Sequence, residues 1–448
     1  MSFPRYPAYK DSGVEWLGDV PEHWEVWKLS HAFTQIGSGT TPKTDNRDYY
    51  EGGDIPWVNT GDFNDRELDE CDKRITELAI VDHSALKTYP PGSLLIAMYG
   101  ATIGKLAILN FAATVNQACC VFAGPSEIAS KFMFYWFLGL RKQIISLATG
   151  GGQPNISQDI LRSLRVAIPV LLHQAQIVSF LDHQTSTIDD LIAEQQRLIE
   201  LLQEKRQAVI SHAVTKGLNP NIPMKDSGVE WLGEVPEHWE VAPLKHHWLV
   251  TDCKHVTAEF TQEGYPLASI KEAQGRWIDL TNAKRTTEDF YNLLTEGSRT
   301  PEPGDLVFTR NATVGEVAEV PAQIESFALG QDVVILKKLN DSHCSSFAWH
   351  LLRSTAVSNQ LECAMIGSTF RRINVEQIKA ISVPIPPSHE QASMAIYLEE
   401  VSGQWAKQEQ DARHCVSLLQ ERRSALISAA VTGQIDVRGF VEVEGSEL

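Results

Sequence analysis

The chain has 448 residues, of which 43% are hydrophobic and 21% charged, a composition typical of a folded protein rather than a disordered one. Its length suits two or three domains, each with its own core. The formal net charge of −18 is the wrong sign for a protein that holds nucleic acid through phosphate contacts alone. No apolar run approaches the roughly 20 residues of a membrane helix. The N-terminus has no signal-peptide pattern, so we expect a cytoplasmic protein.

The sequence contains one unit written twice. The segment KDSGVEWLGDVPEHWEV at 10–26 returns as KDSGVEWLGEVPEHWEV at 225–241, with Asp19 replaced by Glu234 as the single difference. Looser matches follow in the same order, pairing 91–107 with 303–318, 166–169 with 383–386, and 201–215 with 418–432. An ordered series of this kind indicates an internal repeat. Each copy consists of a variable block followed by a helical block.

The variable blocks have a mixed α/β pattern. Short apolar runs such as 93–98 and 305–309 are separated by Gly, Pro, Asn and Asp, as expected of strands joined by turns. A helix is predicted in each block, at 129–148 and at about 346–364.

The helical blocks carry a heptad pattern of apolar residues, which predicts two long helices of about 60 Å that pack on each other. Ser388 and Gln391 fit a capping box at the start of the second helix, and Gly217 and Gly433 stand where C-terminal caps belong. The predicted core-facing positions are Leu181, Gln184, Ile188, Leu191, Gln195, Leu198, Leu202, Lys205 and Val209, then Met394, Leu398, Val401, Trp405, Gln408, Ala412, Cys415, Leu419, Arg422 and Leu426. The predicted boundaries are 1–170 and 218–387 for the variable blocks, 171–217 and 388–433 for the helical blocks, and 434–448 for an acidic tail.

The search for catalytic motifs finds none that is complete. Gly100–Lys105 (GATIGK) is one residue too short for a phosphate-binding loop, and Leu106 stands where a Mg²⁺-binding Ser or Thr is needed. Its counterpart 311–316 has no lysine, so a hairpin turn is favoured. The adjacent Cys119 and Cys120 lie in an apolar run and indicate buried thiols rather than metal ligands. Motifs of metalloproteases, serine hydrolases, DNA amino-methyltransferases and nucleases are also missing, which favours a binding function.

The order of these phrases resembles the specificity subunits of type I restriction-modification enzymes over essentially the whole chain. The resemblance rests on VEWLGDVPEHWEV before each block, GSGTTPK at 37–43 with GGDIPWVNTGDF, GDLVFTRNATVGEVA at 304–318, and IPPSHEQ at 385–391. It implies an α+β fold with two pseudo-twofold-related target recognition domains separated by a long antiparallel two-helix coiled coil. Each recognition domain would read one half of a split DNA site.

The same resemblance implies that the chain itself has no catalytic activity, cofactor or metal. The helices would dock two methyltransferase subunits, which bring S-adenosylmethionine, and restriction subunits would bring ATP- and Mg-dependent translocation and cleavage. Partner subunits that wrap the duplex would also account for the acidity of this chain.

Candidate DNA contacts lie where polar and basic residues interrupt the strands. Loop 367–374 carries arginines, which suit guanine and phosphate, whereas its counterpart 150–155 carries Gln and Asn, which suit adenine. Solvated surface charge is the alternative interpretation of these side chains. The candidates are Thr41, Lys43, Gln153, Asn155, Lys254, His255, Arg310, Asn311, Thr369, Arg371 and Arg372.

Three other functions remain open at this point. The chain could be the recognition subunit of another bipartite system that combines methylation and cleavage on one partner. It could also be a coiled-coil adaptor for protein interactions, which its acidity suits. The third hypothesis, a nucleotide-hydrolysing enzyme, is supported only by the incomplete loop at Gly100–Lys105.

Overall fold

The computed structural model describes residues 3–149, 154–365 and 372–440. The chain divides into two compact units, with unit 1 formed by Met1–Gln195 and His414–Leu448, and unit 2 by Gln196–Arg413. Each unit therefore combines one variable block with a segment of both helical blocks. The boundaries predicted from the sequence instead gave each helical block to a domain of its own.

In the first copy of the repeat, the strands are β1 (Tyr9–Asp11), β2 (Asp19–Pro21), β3 (Glu25–Lys28), β4 (Phe33–Gly37), β5 (Ile55–Val58), β6 (Arg66–Leu68), β7 (Arg74–Ile75), β8 (Leu94–Ala97), β9 (Leu106–Leu109), β10 (Thr114–Val115), β11 (Cys119–Pro125) and β12 (Arg165–Ile168). Its α-helices are α1 (Leu29–Ala32), α2 (Glu77–Asp82), α3 (Ser130–Gly139), α4 (Arg141–Ser146), α5 (Gln158–Ser163) and α6 (Leu171–Lys216). Short 3-10 helices lie at Arg47–Tyr49 and Thr60–Asp62.

In the second copy, the strands are β13 (Met224–Asp226), β14 (Glu234–Pro236), β15 (Glu240–Pro243), β16 (Trp248–Asp252), β17 (Phe260–Thr261), β18 (Tyr265–Ala268), β19 (Lys284–Thr286), β20 (Leu306–Thr309), β21 (Val317–Glu319), β22 (Ala328–Leu329), β23 (Val333–Lys338) and β24 (Ser382–Ile385). Its α-helices are α7 (Glu288–Thr295), α8 (Ser345–Leu352), α9 (Thr355–Met365), α10 (Val375–Lys379) and α11 (Ser388–Val431). A 3-10 helix lies at Leu244–His246.

The two copies fold alike around a central sheet, which confirms the mixed α and β class and the repeat. The strand order is β4-β11-β8-β9-β6 in unit 1 and β16-β23-β20-β21 in unit 2. A second sheet has the order β10-β5-β7 in unit 1 and β17-β19-β18-β22 in unit 2. The pairs β3-β12 and β15-β24 join the beginning of each variable block to its end.

The central strands are buried on both faces, and their residues alternate between two cores. In β8, Leu94 and Ile96 belong to the core that the helices cover, whereas Leu95 and Ala97 belong to the core shared with the second sheet. This alternation follows from the two-residue period of a strand. Phe308 and Val307 of β20 divide in the same way between two cores of unit 2. Strands that are buried on both faces appear in the sequence as continuous apolar runs, which is the pattern from which these strands were predicted.

Each helix predicted inside a variable block is present but divided in two. The segment predicted at 129–148 forms α3 and α4, which meet at Leu140, and the segment at 346–364 forms α8 and α9. At the end of α3, a Cβ atom on Gly139 would lie 3.0 Å from Cα of Ser428 in α11. The glycine therefore allows α11 to approach closely at the point where α3 stops.

The long helices α6 and α11 contain 46 and 44 residues. Their heptad period is as predicted, but part of the predicted core-facing set is displaced by one residue. Leu191 and Leu198 are exposed, whereas the neighbouring Ile192 and Ile199 are partly buried. Both members of each pair are apolar, so either choice preserves a period of seven and only packing decides between them. The other displaced positions are Gln184, Lys205, Val209, Gln408 and Arg422, where the more buried neighbours are Thr185, Arg206, Ile210, Glu409 and Arg423.

Within unit 1, the two helix segments run in opposite directions. At one end, the ring of His173 in α6 and the guanidinium of Arg438, just beyond α11, both contact the ring of Tyr6. Further along, Arg423 Nε of α11 donates to Asp189 Oδ1 of α6 over 2.8 Å. Residue numbers rise along one helix as they fall along the other.

Unit 2 shows the same antiparallel pairing. Gly217, which follows α6, packs on Trp239, and Glu390 in the first turn of α11 accepts a hydrogen bond from Trp239 Nε1 over 3.0 Å. Further along, Gln203 Nε2 donates to Glu409 Oε1 over 2.9 Å. The antiparallel pairing predicted for the helices is thus confirmed within each unit.

A buried glutamine anchors the start of each long helix. Gln174 is 0% exposed; its amide oxygen accepts from the backbone N–H of Ala129 over 2.7 Å, and its amide nitrogen donates to the carbonyl of Pro169 over 2.8 Å. Gln391 is 1% exposed and accepts in the same way from the N–H of Cys344. These residues end the two matching phrases IPVLLHQ and IPPSHEQ, so those phrases reflect a structural requirement.

The end of each long helix packs on one copy of the repeated segment. Ile427 and Val431 of α11 share a core with Trp24, and Ile210 and Val214 of α6 share a core with Trp239. Both tryptophans are almost fully buried. The near identity of the two repeated segments follows, because each receives a helix end of nearly the same sequence.

The predicted acidic tail at 434–448 is only partly described. Residues 434–440 are not a free extension, since Val437 is 0% exposed and the N–H of Asp436 donates to the carbonyl of Pro4 over 2.8 Å. Residues 441–448 lie outside the described part of the chain.

Two glycines that follow the long helices give a matched test of this packing. Both have positive φ, +73° at Gly433 and +78° at Gly217, so alanine at either position costs about 1 kcal/mol of backbone strain. A Cβ at Gly433 would also collide with the ring of Pro21, whereas at Gly217 the nearest atom is 3.3 Å away. We expect Gly433→Ala to lower the free energy of unfolding by about 1–3 kcal/mol more than Gly217→Ala. Equal thermal unfolding midpoints for the two variants would contradict this packing.

Candidate nucleic-acid interface

Four segments of unit 2 meet at one end of its central sheet. Thr309 at the end of β20 pairs with Val333 at the start of β23, and Asp252 at the end of β16 pairs with the next residue of β23. The strand register therefore places the segments 253–257, 310–316 and 330–332 at the same end. Arg372 joins them through an isolated bridge to Asn311, where the N–H of Ile373 donates to the carbonyl of Arg310 over 2.9 Å.

Unit 1 has the same arrangement. Ala97 at the end of β8 pairs with Cys119 at the start of β11, and Gly37 at the end of β4 pairs with Val121. Asn155 forms the bridge to Tyr99 that Arg372 forms to Asn311 in unit 2. We call this part of each unit the loop end, formed by 38–43, 98–105, 116–118 and 154–155 in unit 1 and by 253–257, 310–316, 330–332 and 372 in unit 2.

Most of the predicted contact residues are brought together at the loop ends. Lys43, Asn155, His255 and Arg372 are exposed there, and Thr41, Lys254 and Asn311 are half-buried. Gln153, Thr369 and Arg371 lie outside the described residues, and their contacts stay predictions. The hairpin predicted at Gly100–Lys105 is confirmed, because it joins the antiparallel strands β8 and β9.

Arg310 is the exception, because its side chain is inside the protein. It is 4% exposed. Its Nη2 lies 3.0 Å from His255 Nε2, and its Nε lies 3.5 Å from Asp252 Oδ1. His255 Nε2 also lies 3.1 Å from Asp252 Oδ2. In this structure Arg310 supports the exposed imidazole of His255, and a direct contact of Arg310 with DNA stays a prediction.

Lys254 is also engaged, in an ion pair with Glu296. The hydrogen bond from Lys254 lowers the pKa of the Glu296 carboxyl group. The neighbouring Arg299 donates a hydrogen bond from Nε to the backbone carbonyl of Asp252 over 2.9 Å. The ammonium of Lys254 is therefore already paired, and a DNA phosphate would have to compete with Glu296 for it.

Two buried thiols lie at the base of the loop ends. Burial raises the pKa of Cys119 in unit 1 and of Cys253 in unit 2. Both are therefore protonated at neutral pH and lack the thiolate that nucleophilic chemistry requires. This agrees with the structural function expected for Cys119 and its neighbour Cys120.

A groove of about 480 Å³ adjoins the loop end of unit 2. Val256, Thr257 and Gln331 line one side of it, and Lys271 and Lys284 lie on the rest of the wall. The two lysines are separated from one another in sequence, which is why sequence analysis did not single them out. The acidic Glu272 and Asp332 and the apolar Phe260 also line the groove, so it is not a continuous basic surface.

The turns at 116–118 and 330–332 were missed by the sequence analysis. A signal was present, because a glutamine stands two positions before a buried strand in both copies, as Gln117 before β11 and Gln331 before β23. The flanking sequences VNQACC and LGQDVV otherwise share little. Only the strand register shows that these positions are equivalent.

Within residues 3–149, 154–365 and 372–440, no three His, Cys, Asp or Glu side chains are grouped so that they could hold a metal ion. In the same part of the chain, no helix has the length and apolar character needed to cross a membrane.

The ion pairs around Arg310 give a test of its supporting function. Arg310→Ala would leave the partly buried Asp252 carboxylate without its guanidinium partner. We expect this change to lower the free energy of unfolding by about 2–3 kcal/mol, and His255→Ala, which removes an exposed side chain, to lower it by under about 1 kcal/mol. Urea unfolding followed by tryptophan fluorescence measures both. A smaller loss for Arg310→Ala than for His255→Ala would show that Arg310 does not support the loop end.

Comparison with known proteins agrees with this construction. The profile of the type I restriction modification DNA specificity domain matches residues 21–202 and 258–411. The MjaVIII specificity subunit of Methanocaldococcus jannaschii, a type I restriction enzyme subunit, is 22% identical over 432 residues, covering 94% of this chain and 95% of the relative. The EcoKI specificity subunit of Escherichia coli K12 is 22% identical over 440 residues, covering 95% and 92%.

Solved structures show the same fold. A chain from a study of complex assembly and conformational transition in a type I restriction-modification system superimposes with a TM-score of 0.71, at 14% identity, covering 92% of this chain and 98% of that one. The HsdS subunit of Thermoanaerobacter tengcongensis gives a TM-score of 0.54 at 15% identity, with 93% and 98% covered. The profile matches both copies of the repeat, so the chain belongs to the type I restriction-modification DNA specificity family.

Proposed function

We propose that this chain is the DNA specificity subunit of a type I restriction-modification complex, and that each unit reads one half of a split DNA site with its loop end. The observation that carries the proposal is the duplicated loop end, built on the same strands in both units but with different side chains. It occurs in a chain of the DNA specificity family.

The loop ends suit base recognition because a rigid sheet presents polar side chains. Each loop end contains a backbone bridge that joins two of its segments. In unit 1 it joins Tyr99 to Asn155, and in unit 2 it joins Asn311 to Arg372. Arg can bind guanine through two hydrogen bonds, whereas Asn and Gln suit adenine. Equivalent positions carry Arg372 in unit 2 and Asn155 in unit 1, so the two half-sites should differ in sequence.

The net charge of −18 argues against strong binding of DNA by this chain alone. Phosphate contacts supply much of the affinity of proteins for DNA, and they require basic side chains. At the loop end of unit 2, Lys254 and Arg310 are already paired with acidic groups. We propose that two methyltransferase subunits wrap the duplex and supply most of the phosphate binding, while this chain supplies the sequence preference.

The long helices are the proposed docking surface for those subunits. Seven large apolar residues on α6 and α11 are between 41% and 68% exposed, namely Leu171, Leu172, Leu191, Leu198, Leu201, Ile396 and Leu418. On α6, Leu198 and Leu201 are three residues apart, which puts them on one face of the helix. An exposed apolar stripe of this kind is typical of a protein interface.

The proposal leaves all catalysis to the partners. S-adenosylmethionine would be bound by the methyltransferase subunits, and ATP and Mg by the restriction subunits. For this chain, the proposed contribution is binding and orientation of the DNA.

The experiment is to map modified adenines in the genome of cells that carry this chain with its methyltransferase. We expect a motif of two short, unlike half-sites separated by a spacer of fixed length, because two different loop ends read the DNA. Cells with the methyltransferase but without this chain are the control and should show no such motif. Methylation by the isolated, pure chain, or a single uninterrupted motif, would contradict the proposal. A protein-interaction adaptor would produce no change in the modified sequence.

A further inference from the structure

The turns that precede β11 and β23 each carry an exposed glutamine at the equivalent position. Gln117 lies two residues before β11, and Gln331 lies two residues before β23. Both side chains are exposed. Packing explains the identity of buried repeat residues such as Trp24 and Trp239, but it gives no reason for an exposed glutamine in both copies.

The backbone at each glutamine is held on both sides. In unit 1, the N–H of Asn116 donates to the carbonyl of Val58 in the second sheet over 3.1 Å. The carbonyl of Ala118 accepts from the N–H of Met98 in the central sheet over 2.8 Å. Gln117 therefore sits at the junction of two sheets, with little freedom to move.

Unit 2 repeats these bonds. The N–H of Gly330 donates to the carbonyl of Ala268 over 2.7 Å, and the carbonyl of Asp332 accepts from the N–H of Arg310 over 2.9 Å. A side chain on such a rigid backbone is already positioned when the protein folds. Binding DNA then costs little further conformational entropy, which favours discrimination between bases.

Each glutamine side chain is also oriented by a threonine of the neighbouring loop. Thr41 Oγ1 donates to Gln117 Oε1 over 2.5 Å, and Gln331 Nε2 donates to Thr257 Oγ1 over 3.4 Å. An amide has two donor hydrogens and an oxygen with two lone pairs, so one bond to threonine leaves a donor and an acceptor. The two threonines thus restrict each side chain without using up its capacity for a bidentate pair.

From this geometry we infer that Gln117 and Gln331 are equivalent base-reading residues, each forming a bidentate pair with an adenine in its own half-site. The N6 amino group and N7 of adenine offer the donor and acceptor that a glutamine amide matches in the major groove. Two half-sites that otherwise differ would then share an A·T pair at the same place relative to each unit. This inference rests on the proposed function, because it names the base that the proposed surface reads.

The test uses the full chain in complex with its methyltransferase and DNA in which every base pair of the mapped site is changed in turn. Wild-type complex should discriminate at both half-sites. In Gln331→Ala, discrimination should fall about tenfold at one A·T pair of the half-site read by unit 2, with the other positions unchanged. Gln117→Ala should do the same in the other half-site. Gln323→Ala, which alters an exposed glutamine in the chain leaving the opposite end of the sheet, is the control and should bind as wild type does.

A conservative variant guards against loss of structure. Gln331→Glu keeps the size of the side chain but removes the amide donors, and carboxylates prefer the amino group of cytosine. We expect it to assemble normally and to lose the preference for adenine at the same position. Assembly and the thermal unfolding midpoint are measured for every variant.

The outcomes separate the inference from the proposed function. Unchanged discrimination in both alanine variants would overturn the inference while the specific wild-type complex upheld the function. A uniform loss of affinity for all DNAs would overturn it too, by showing phosphate contacts. A wild-type complex without sequence preference would mean that the proposed function itself is wrong.

Discussion

The fold depends on one packing interaction that occurs twice, the docking of a long-helix end on a repeated segment. Without Ile427 and Val431, the core around Trp24 in unit 1 would open to solvent, and without Ile210 and Val214 so would the core around Trp239 in unit 2. Each variable block is completed by the end of the helix that follows the other variable block. Because large buried aromatic residues contribute several kcal/mol each, this contact constrains both the repeat and the register of the helices.

This arrangement separates stability from recognition. The repeated segments at 10–26 and 225–241, the buried glutamines Gln174 and Gln391, and the helix ends are the same or nearly the same in both copies, since they share the same packing requirements. The loop ends extend from the strands and carry little of the core, so their side chains can change without loss of the fold. Asn155 and Arg372 occupy equivalent positions and differ completely in chemistry. A scaffold of this kind suits a protein whose target must vary.

The sequence was sufficient to predict the features of the fold that leave a repeat or a periodic pattern of apolar residues. It predicted the two copies, the mixed α+β class, the two long helices and their antiparallel pairing. It could not choose between Leu191 and Ile192 as the buried residue, because both are apolar and only the partner helix distinguishes them. It also placed Arg310 among surface residues, since nothing in TRNAT shows that Asp252 and His255 enclose the guanidinium. Gln331 was missed because its environment is assembled from segments far apart in the chain.

The central claim, that the loop ends face the DNA, is tested most directly by site-specific crosslinking in the methyltransferase complex. A photoreactive side chain would replace Lys43 in unit 1 or Thr257 in unit 2. Ser126 and Asn340, exposed residues beyond the opposite ends of β11 and β23, serve as controls. The account predicts crosslinks from Lys43 to one half-site, from Thr257 to the other half-site, and none from the controls. Crosslinks from Ser126 or Asn340, or labelling of the same half-site from both units, would contradict it.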